Sequence, residues 1–231
     1  MKMTFQETKE YIRHDFYRNL ESCTRRDICK AFFSKNSTTG LLLYYRLCHY
    51  WAGCSKRTPL QFLCHSYCYL KFQKIQKNCG VELNQHTRIG YGLRLPHRGG
   101  IVIHPQAVIG NNCEIMQGVT IGNNILKSRD DVAVIGDEVL LCTGAKIIGG
   151  VHIGNTVVVG ANAVVTKDIP NHTVVAGIPA IEIRTCDDRF VITGMRKVKV
   201  RVATDGFFIN DFFMDVSSNN VYRILYSSSQ M

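Results

Sequence analysis

Broken every six positions, residues 135–169 read IGDEVL LCTGAK IIGGVH IGNTVV VGANAV VTKDI. An aliphatic residue opens each block (Ile135, Leu141, Ile147, Ile153, Val159, Val165). A small or branched one follows four places later (Val139, Ala145, Val151, Val157, Ala163, Ile169). A fixed period of six is explained by short flat strands joined by tight corners, with each aliphatic side chain stacking on its equivalent one coil away. The expected fold is a parallel β-helix whose hydrogen bonds run between coils and whose core is a column of Ile, Val and Leu. An all-β sandwich offers no reason for the period. Gly110, Asn111, Gly122, Gly136, Gly154, Asn155 and Gly160 fall at the corners, where they are expected to supply permissive dihedrals.

Toward the N-terminus, Ile103, Ile109, Ile115 and Ile121 keep the period but stand two residues out of phase with the later set. Leu83, Ile89 and Leu95 are out by two more. Two insertions therefore interrupt the coil, one in Pro96-His97-Arg98-Gly99-Gly100 and one in residues 122–134, GNNILKSRDDVAV. A solenoid extrudes loops at its corners, and binding concentrates on such loops, so function is expected at these two phase breaks.

The coil occupies residues 81–184 of a 231-residue chain that is 45% hydrophobic and 20% charged, which excludes wholesale disorder, collagen and a multi-span membrane protein. Residues 1–80 form a different leader. Apolar residues recur there at helical spacing (Leu41, Tyr44, Tyr45, Cys48, Trp51; then Phe62, Tyr69, Phe72), and Thr58-Pro59 predicts a break between two helices. Leu41 to Gly53 is too short to span a bilayer and carries Arg46 and His49, so an amphipathic helix is expected. Nearly all of the net charge of +10 sits in the leader, with 14 Lys/Arg against 5 Asp/Glu, whereas the coil holds 8 of each. Such a basic, aromatic-rich face either contacts a membrane peripherally, at anionic headgroups, or packs with its charged side in solvent. No nucleic-acid motif accompanies the charge, so no nucleic acid is expected as a partner. Seven of the ten cysteines lie in the leader without a CxxC pair or a cleavable signal, which reads as a reduced, cytoplasmic chain. Residues 185–231 lose the sixfold register; Val191 to Val202 alternates weakly and Gly206 to Met214 is aromatic. A strand or hairpin covering the open end of the coil is expected there.

His97 stands at the first phase break beside two glycines, where backbone can bring a substrate close. An alcohol is a poor nucleophile at neutral pH, and a positioned imidazole is suited to taking its proton during attack on a thioester. An exposed corner histidine would have the same spacing. His104 and His152 also occupy coil positions, but their spacing from His97 makes no metal set, so no metal is expected. Cys113 and Cys142 sit where small apolar residues are usual, against a covalent thiol route.

The run Val81-Glu82-Leu83, then Ile89-Gly90-Tyr91-Gly92-Leu93-Arg94-Leu95-Pro96-His97-Arg98-Gly99-Gly100-Ile101-Val102-Ile103, then Lys167-Asp168-Ile169-Pro170 and Val175-Ala176-Gly177-Ile178-Pro179-Ala180, resembles the serine acetyltransferase branch of the hexapeptide acyltransferases. The resemblance implies a mainly β chain, a left-handed parallel β-helix with an N-terminal α-helical segment. It also implies a homotrimer with sites in clefts between subunits, and acetyl transfer from acetyl-CoA to a hydroxyl or amine. Through the pattern Leu-x-His-x-x-Gly-Ile-Val it implies His97 as general base, with Glu82, fifteen positions upstream, fixing its tautomer. For acetyl-CoA it implies small Ala145, Gly160 and Ala161 along the pantetheine arm, Lys167 and Arg184 at the phosphates, and Pro179 near the adenine.

Two positions depart from the serine enzymes. Pro96 stands where they carry an acid, and Arg129-Asp130-Asp131-Val132 stands where they carry a histidine followed by proline. The leader resembles that of O-acetyltransferases from surface-polysaccharide clusters, through Asp15-Phe16-Tyr17-Arg18 and Tyr45-Arg46-Leu47-Cys48. The expected acceptor is therefore a sugar hydroxyl of a surface polysaccharide or its precursor. Serine O-acetylation and a non-catalytic trimeric scaffold are the competing readings.

Overall fold

The computed structural model describes residues 3–54, 58–128 and 130–186, and three further strands at 206–209, 212–215 and 220–223. The leader folds into four helices, α1 (Phe5–Leu20), α2 (Arg25–Phe33), α3 (Thr38–Gly53) and α4 (Pro59–Cys79). Thr4, Thr24 and Thr58 each cap a helix through a reciprocal capping box, and Pro59 occupies the first turn of α4 where its missing N–H costs nothing. The break at Thr58-Pro59 is thus where the sequence puts it. Helix α3 differs from expectation. It is not amphipathic over its first half, because Thr39 to Arg46 and Cys48 are all buried between α1, α2, α4 and the coil. Conversely, Phe72 is buried but Phe62 and Tyr69 are exposed.

Helix α4 ends at Gly80, whose left-handed φ of 62° turns the chain directly into the first strand. Five coils follow. They contain β1 (Val81–Glu82), β2 (Arg88–Ile89) and a bridge at Arg94; β3 (Ile101–Ile103), β4 (Val108–Ile109) and β5 (Glu114–Ile115); β6 (Thr120–Gly122), β7 (Val134–Ile135) and β8 (Leu140–Leu141); β9 (Lys146–Ile148), β10 (His152–Ile153) and β11 (Val158–Val159); β12 (Val164–Val165), a bridge at Ile169, and β13 (Thr173–Ala176). Strand β14 (Ile181–Thr185) then doubles back antiparallel on β13. The strands stack into three parallel faces: β1-β3-β6-β9-β12, β2-β4-β7-β10, and β5-β8-β11-β13, the last edged by β14.

The register accounts for both phase breaks. Ile103 pairs with Ile121 and Ile147 with Val165, 18 residues apart, or three blocks of six. Val81 pairs with Ile101, 20 apart, and Ile121 with Ile147, 26 apart. The insertions are therefore two and eight residues long, and each shifts a period of six by two. Across both, the aliphatic side chains remain in column, with Ile103, Ile121, Ile147 and Val165 all buried.

The corner glycines act differently from expectation. None of Gly110, Asn111, Gly122, Gly136, Gly154, Asn155 and Gly160 has a left-handed φ; at the corner between the second and third faces that conformation belongs to Asn112, Glu138, Thr156 and His172. Gly110 lacks a side chain because the next coil leaves no room: a Cβ there would sit 2.3 Å from Asp137 Oδ1 and 2.5 Å from Gly136 O. The space is filled by a ladder of side-chain caps. Asp137 Oδ1 accepts from the Asn111 N–H at 2.6 Å, Asn155 Oδ1 from Asp137 at 2.8 Å, and Asn171 Oδ1 from Asn155 at 2.7 Å.

The leader closes the first coil, where a bare strand edge would otherwise face water. Arg46, fully buried, donates from Nε and Nη2 to the two oxygens of Asp15 at 2.7 and 3.1 Å, and to the carbonyls of Ile89 and Gly90 at 2.7 and 2.6 Å. Asp15 also accepts the Leu93 N–H at 2.9 Å. Burial pushes the Asp15 carboxyl upward, and the Arg46 guanidinium offsets part of that push. Tyr45 donates to the Thr87 carbonyl at 2.6 Å, and Gln76 accepts the Leu83 N–H at 2.7 Å. The two short motifs singled out in the leader, around Asp15 and Arg46, are the halves of one clamp.

The idea that residues 185–231 cover the coil falls largely outside the described residues, Val191 to Val202 included. What is described of them, beyond the end of β14, is Cys186, buried with its N–H on the His172 carbonyl, and an antiparallel sheet of β15 (Gly206–Ile209), β16 (Phe212–Asp215) and β17 (Asn220–Arg223).

Candidate functional site

The edge where the third face turns into the first carries the features that bear on chemistry. Its corners stack through main-chain bonds: the Gly99 N–H donates to Cys79 O at 2.8 Å, Gly118 to Gly99 O, Gly144 to Gln117 O and Asn162 to Thr143 O, each at 2.9 Å. Gly80, Gly100, Gly118 and Gly144 are left-handed, and a Cβ on Gly100 or Gly118 would come within 3.4 Å of the Cα of the next glycine in the column. The edge is consequently lined with glycine at its first three corners. From Gly99 to Gly177 it spans four coil steps, roughly 19 Å at the spacing of paired strands. The N–H groups of Gly100, Thr143 and Ala161 on it make no hydrogen bond to other described residues.

His97 stands exposed at the head of this edge. Glu82, also exposed, lies on β1 opposite Val102. The two flank the same stacked pair of corners, since Glu82 follows Gly80 by two residues and His97 precedes Gly99 by two. A Cβ on Gly80 would lie 3.2 Å from Gly99 Cα. No hydrogen bond or ion pair joins the imidazole and the carboxylate among the described residues.

The residues singled out for the acetyl-CoA arm divide into three groups. Ala161 is exposed on the edge, and Pro179 lies at its foot, in a segment that runs beside β12 through Val164 N–H to Gly177 O at 3.0 Å and Ala180 N–H to Val164 O at 2.8 Å. Ala145 and Gly160 serve packing. Ala145 is fully buried with its N–H on Cys142 O and its carbonyl accepting from Thr120, so Thr143 is the residue that offers backbone at that corner. Gly160 donates to Val175 O at 2.7 Å, and a Cβ there would meet Ala176 Cβ at 2.8 Å. Lys167 and Arg184 are exposed off the edge, the first at the neighbouring corner of the last coil, the second on β14 opposite Val174.

Lys146 was not anticipated. It points outward from β9 beside the edge, donating from Nζ to Thr120 Oγ1 at 3.1 Å and to the Gly118 carbonyl. The signal lay in LCTGAK: the position after the buried alanine of a block faces outward, next to a corner.

The second insertion, 123–131, leaves at a different edge, between the first and second faces, with Ile125 and Leu126 exposed at 77% and 96%. Burial pushes the Cys113 thiol up to about 12 and raises that of Cys142, so neither is a thiolate at neutral pH. His97, His104 and His152 do not gather, and no group of three metal-ligating side chains occurs among the described residues.

No family model matches the chain. Curated relatives match over part of the chain. The serine acetyltransferase of Synechococcus elongatus is 38% identical over 92 residues, 40% of this chain and 38% of that one. That of Staphylococcus aureus (strain Mu50) is 39% identical over 93 residues, 40% of this chain and 44% of that one. Serine acetyltransferase 2 of Arabidopsis thaliana is 37% identical over 99 residues, 43% and 31% respectively. The chain thus spans less than half the length of these curated relatives. Among solved structures, serine acetyltransferase of Neisseria gonorrhoeae superposes with a TM-score of 0.61 at 26% identity, over 80% of this chain and 69% of that one. The Vibrio cholerae enzyme gives 0.61 at 25%, over 79% and 67%.

The architecture is therefore a left-handed parallel β-helix preceded by a helical region. The chain is a hexapeptide-repeat protein similar in sequence and fold to serine acetyltransferases, and the structural likeness covers more of it than the coil alone.

Proposed function

We propose that the chain is an acetyl-CoA-dependent O-acetyltransferase in which His97 takes the proton of the acceptor hydroxyl. The observation that carries this reading is the placement of His97 at the head of a glycine-lined edge whose corners offer unused N–H groups at Thr143 and Ala161. An extended pantetheine arm needs such a track, because its amide carbonyls must find donors when they leave water. With the thioester at the top of the track, the hydroxyl oxygen attacks the acetyl carbon as its proton passes to the imidazole. The C–S bond then breaks, and the coenzyme thiolate takes the proton from the imidazolium. The Gly100 N–H is the donor we assign to the developing oxyanion. Glu82 is a positioning residue that stabilises the imidazolium once its side chain turns across the stacked corners.

L-serine is the first acceptor to test, since the relatives found are serine acetyltransferases and the gonococcal enzyme has been solved in complex with serine. The comparisons favour it over the sugar hydroxyl. The sugar reading rests on Pro96 and the Arg129-Asp130-Asp131 run, which replace residues of the serine enzymes. We further propose a homotrimer. The two insertions leave the prism at different edges, so the loop of one subunit meets the His97 edge most simply in another. The outward third face, with Leu140, Val158 and Val174, is apolar enough to be covered.

Coenzyme release by the purified full chain, with acetyl-CoA and a panel of L-serine, sugars and glycans, tests the assignment. His97→Ala is expected to lower kcat by about 10²- to 10⁴-fold while calorimetric acetyl-CoA binding persists. Unchanged turnover in that variant removes the base. Turnover of glycans alone moves the acceptor from serine to sugar, and no acetyl-CoA binding at all leaves a scaffold.

A further inference from the structure

The first half of α4 carries its apolar residues into solvent: Leu60, Leu63, Tyr67 and Leu70 are 70%, 63%, 43% and 69% exposed. At 100° per residue these four fall along one stripe. Phe33, 73% exposed at the end of α2, extends it, because Phe32 lies between, 5.2 Å from the Phe33 ring and 6.1 Å from that of Tyr67. Singly exposed apolar residues are ordinary; a contiguous group of five large ones is not.

The rim is basic. Lys71 lies over the Tyr67 ring at 5.8 Å, and Lys74 and Lys77 are exposed further along α4. Lys35 joins from the α2 side, its carbonyl accepting from the Asn78 side chain at 2.6 Å. Residues 28–81 contain no Asp or Glu, and apart from Arg46, which is buried against Asp15, they carry seven Lys/Arg. That charge decides what covers the stripe. A second copy laid face to face would bring lysine against lysine with no acid to offset them. An anionic lipid surface meets both requirements, with apolar side chains below the headgroups and lysines among them. We propose that the first three turns of α4, together with Phe33, dock the protein peripherally on a membrane rich in anionic phospholipid. No helix among the described residues is long and apolar enough to cross one. Of the aromatic residues in the basic leader that the sequence offered for such a face, Tyr44 and Tyr45 of α3 are buried instead.

Co-sedimentation of the full chain with vesicles of phosphatidylcholine, with and without phosphatidylglycerol, tests this. Binding is expected only to the anionic vesicles, weakening as salt rises. Leu63→Glu with Leu70→Glu is expected to reduce it by about tenfold or more. These side chains are exposed, so the variant keeps the wild-type melting temperature and oligomer size. Should it fail to fold, Lys74→Glu with Lys77→Glu gives the same readout through charge. Wild-type protein that stays in the supernatant, or that binds neutral vesicles equally, overturns the proposal. So does an oligomer that the Leu63/Leu70 variant splits, which would make a second copy the occupant.

Discussion

The coil and the leader are both held from within, but by contacts of opposite kinds. In the coil each buried side chain meets its own equivalent at a fixed offset, so that Ile121, Ile147 and Val165 are rungs of one column. In the leader the decisive contacts occur once. Asp15 and Arg46, 31 residues apart, bind each other and then three backbone groups of the first coil. A repeat spreads its stability over many similar terms, whereas a clamp concentrates it in a few buried charges.

Removing Asp15 is expected to show the larger effect. Asp15→Ala strands a fully buried guanidinium and should cost about 3–5 kcal/mol, measured by denaturant unfolding. If leader and coil form one cooperative unit, the single transition moves; a separate early transition for the helices would instead make the leader an appendage. Ile147→Ala leaves a cavity in the column and should cost about 3 kcal/mol in the same assay. A much smaller loss would mean that the coils close over the gap.

Glycines sharpen the contrast by sign. Gly110→Ala forces a methyl against Asp137 and the Gly136 carbonyl, and should destabilise by about 1–3 kcal/mol. Gly53→Ala, at the end of α3 with nothing within 4 Å of the new Cβ, should be neutral or slightly stabilising. The smallest effect is a pH dependence of the leader. His49 Nδ1–H donates to Gln85 O at 2.8 Å, and burial lowers its pKa. As pH falls below the ordinary histidine value the unfolded chain takes up a proton that the folded one resists, so stability declines on acidification. Melting curves at pH 7 and 5.5 should show a small loss that His49→Gln removes in part.

Most of the coil was legible because its period has a single cause. Every sixth side chain enters the same core, one face after another, so a phase slip must be an insertion, and the corner that holds His97 could be located by counting. The corner chemistry was not legible in the same way. A glycine chosen for a dihedral and one chosen because the next coil sits 2.5 Å away are the same letter, and only the stacked backbone separates Gly100 from Gly110. For the same reason a small residue such as Ala145 could be read as lining a ligand, whereas in the structure its methyl fills the core and the N–H without a partner at that corner belongs to Thr143.

The amino-acid sequence by itself determined the repeat, its two interruptions, the helical character of the leader and the place of the histidine, because each rests on neighbours at short, regular separations. Three features were decided only by the tertiary structure. Asp15 meets Arg46, a glycine-lined edge runs from the His97 corner toward Pro179, and the first turns of α4 expose their leucines while the first half of α3 buries its own. Each depends on which surfaces meet after the chain has closed on itself, and a buried ion pair or an exposed leucine has no period that could announce it.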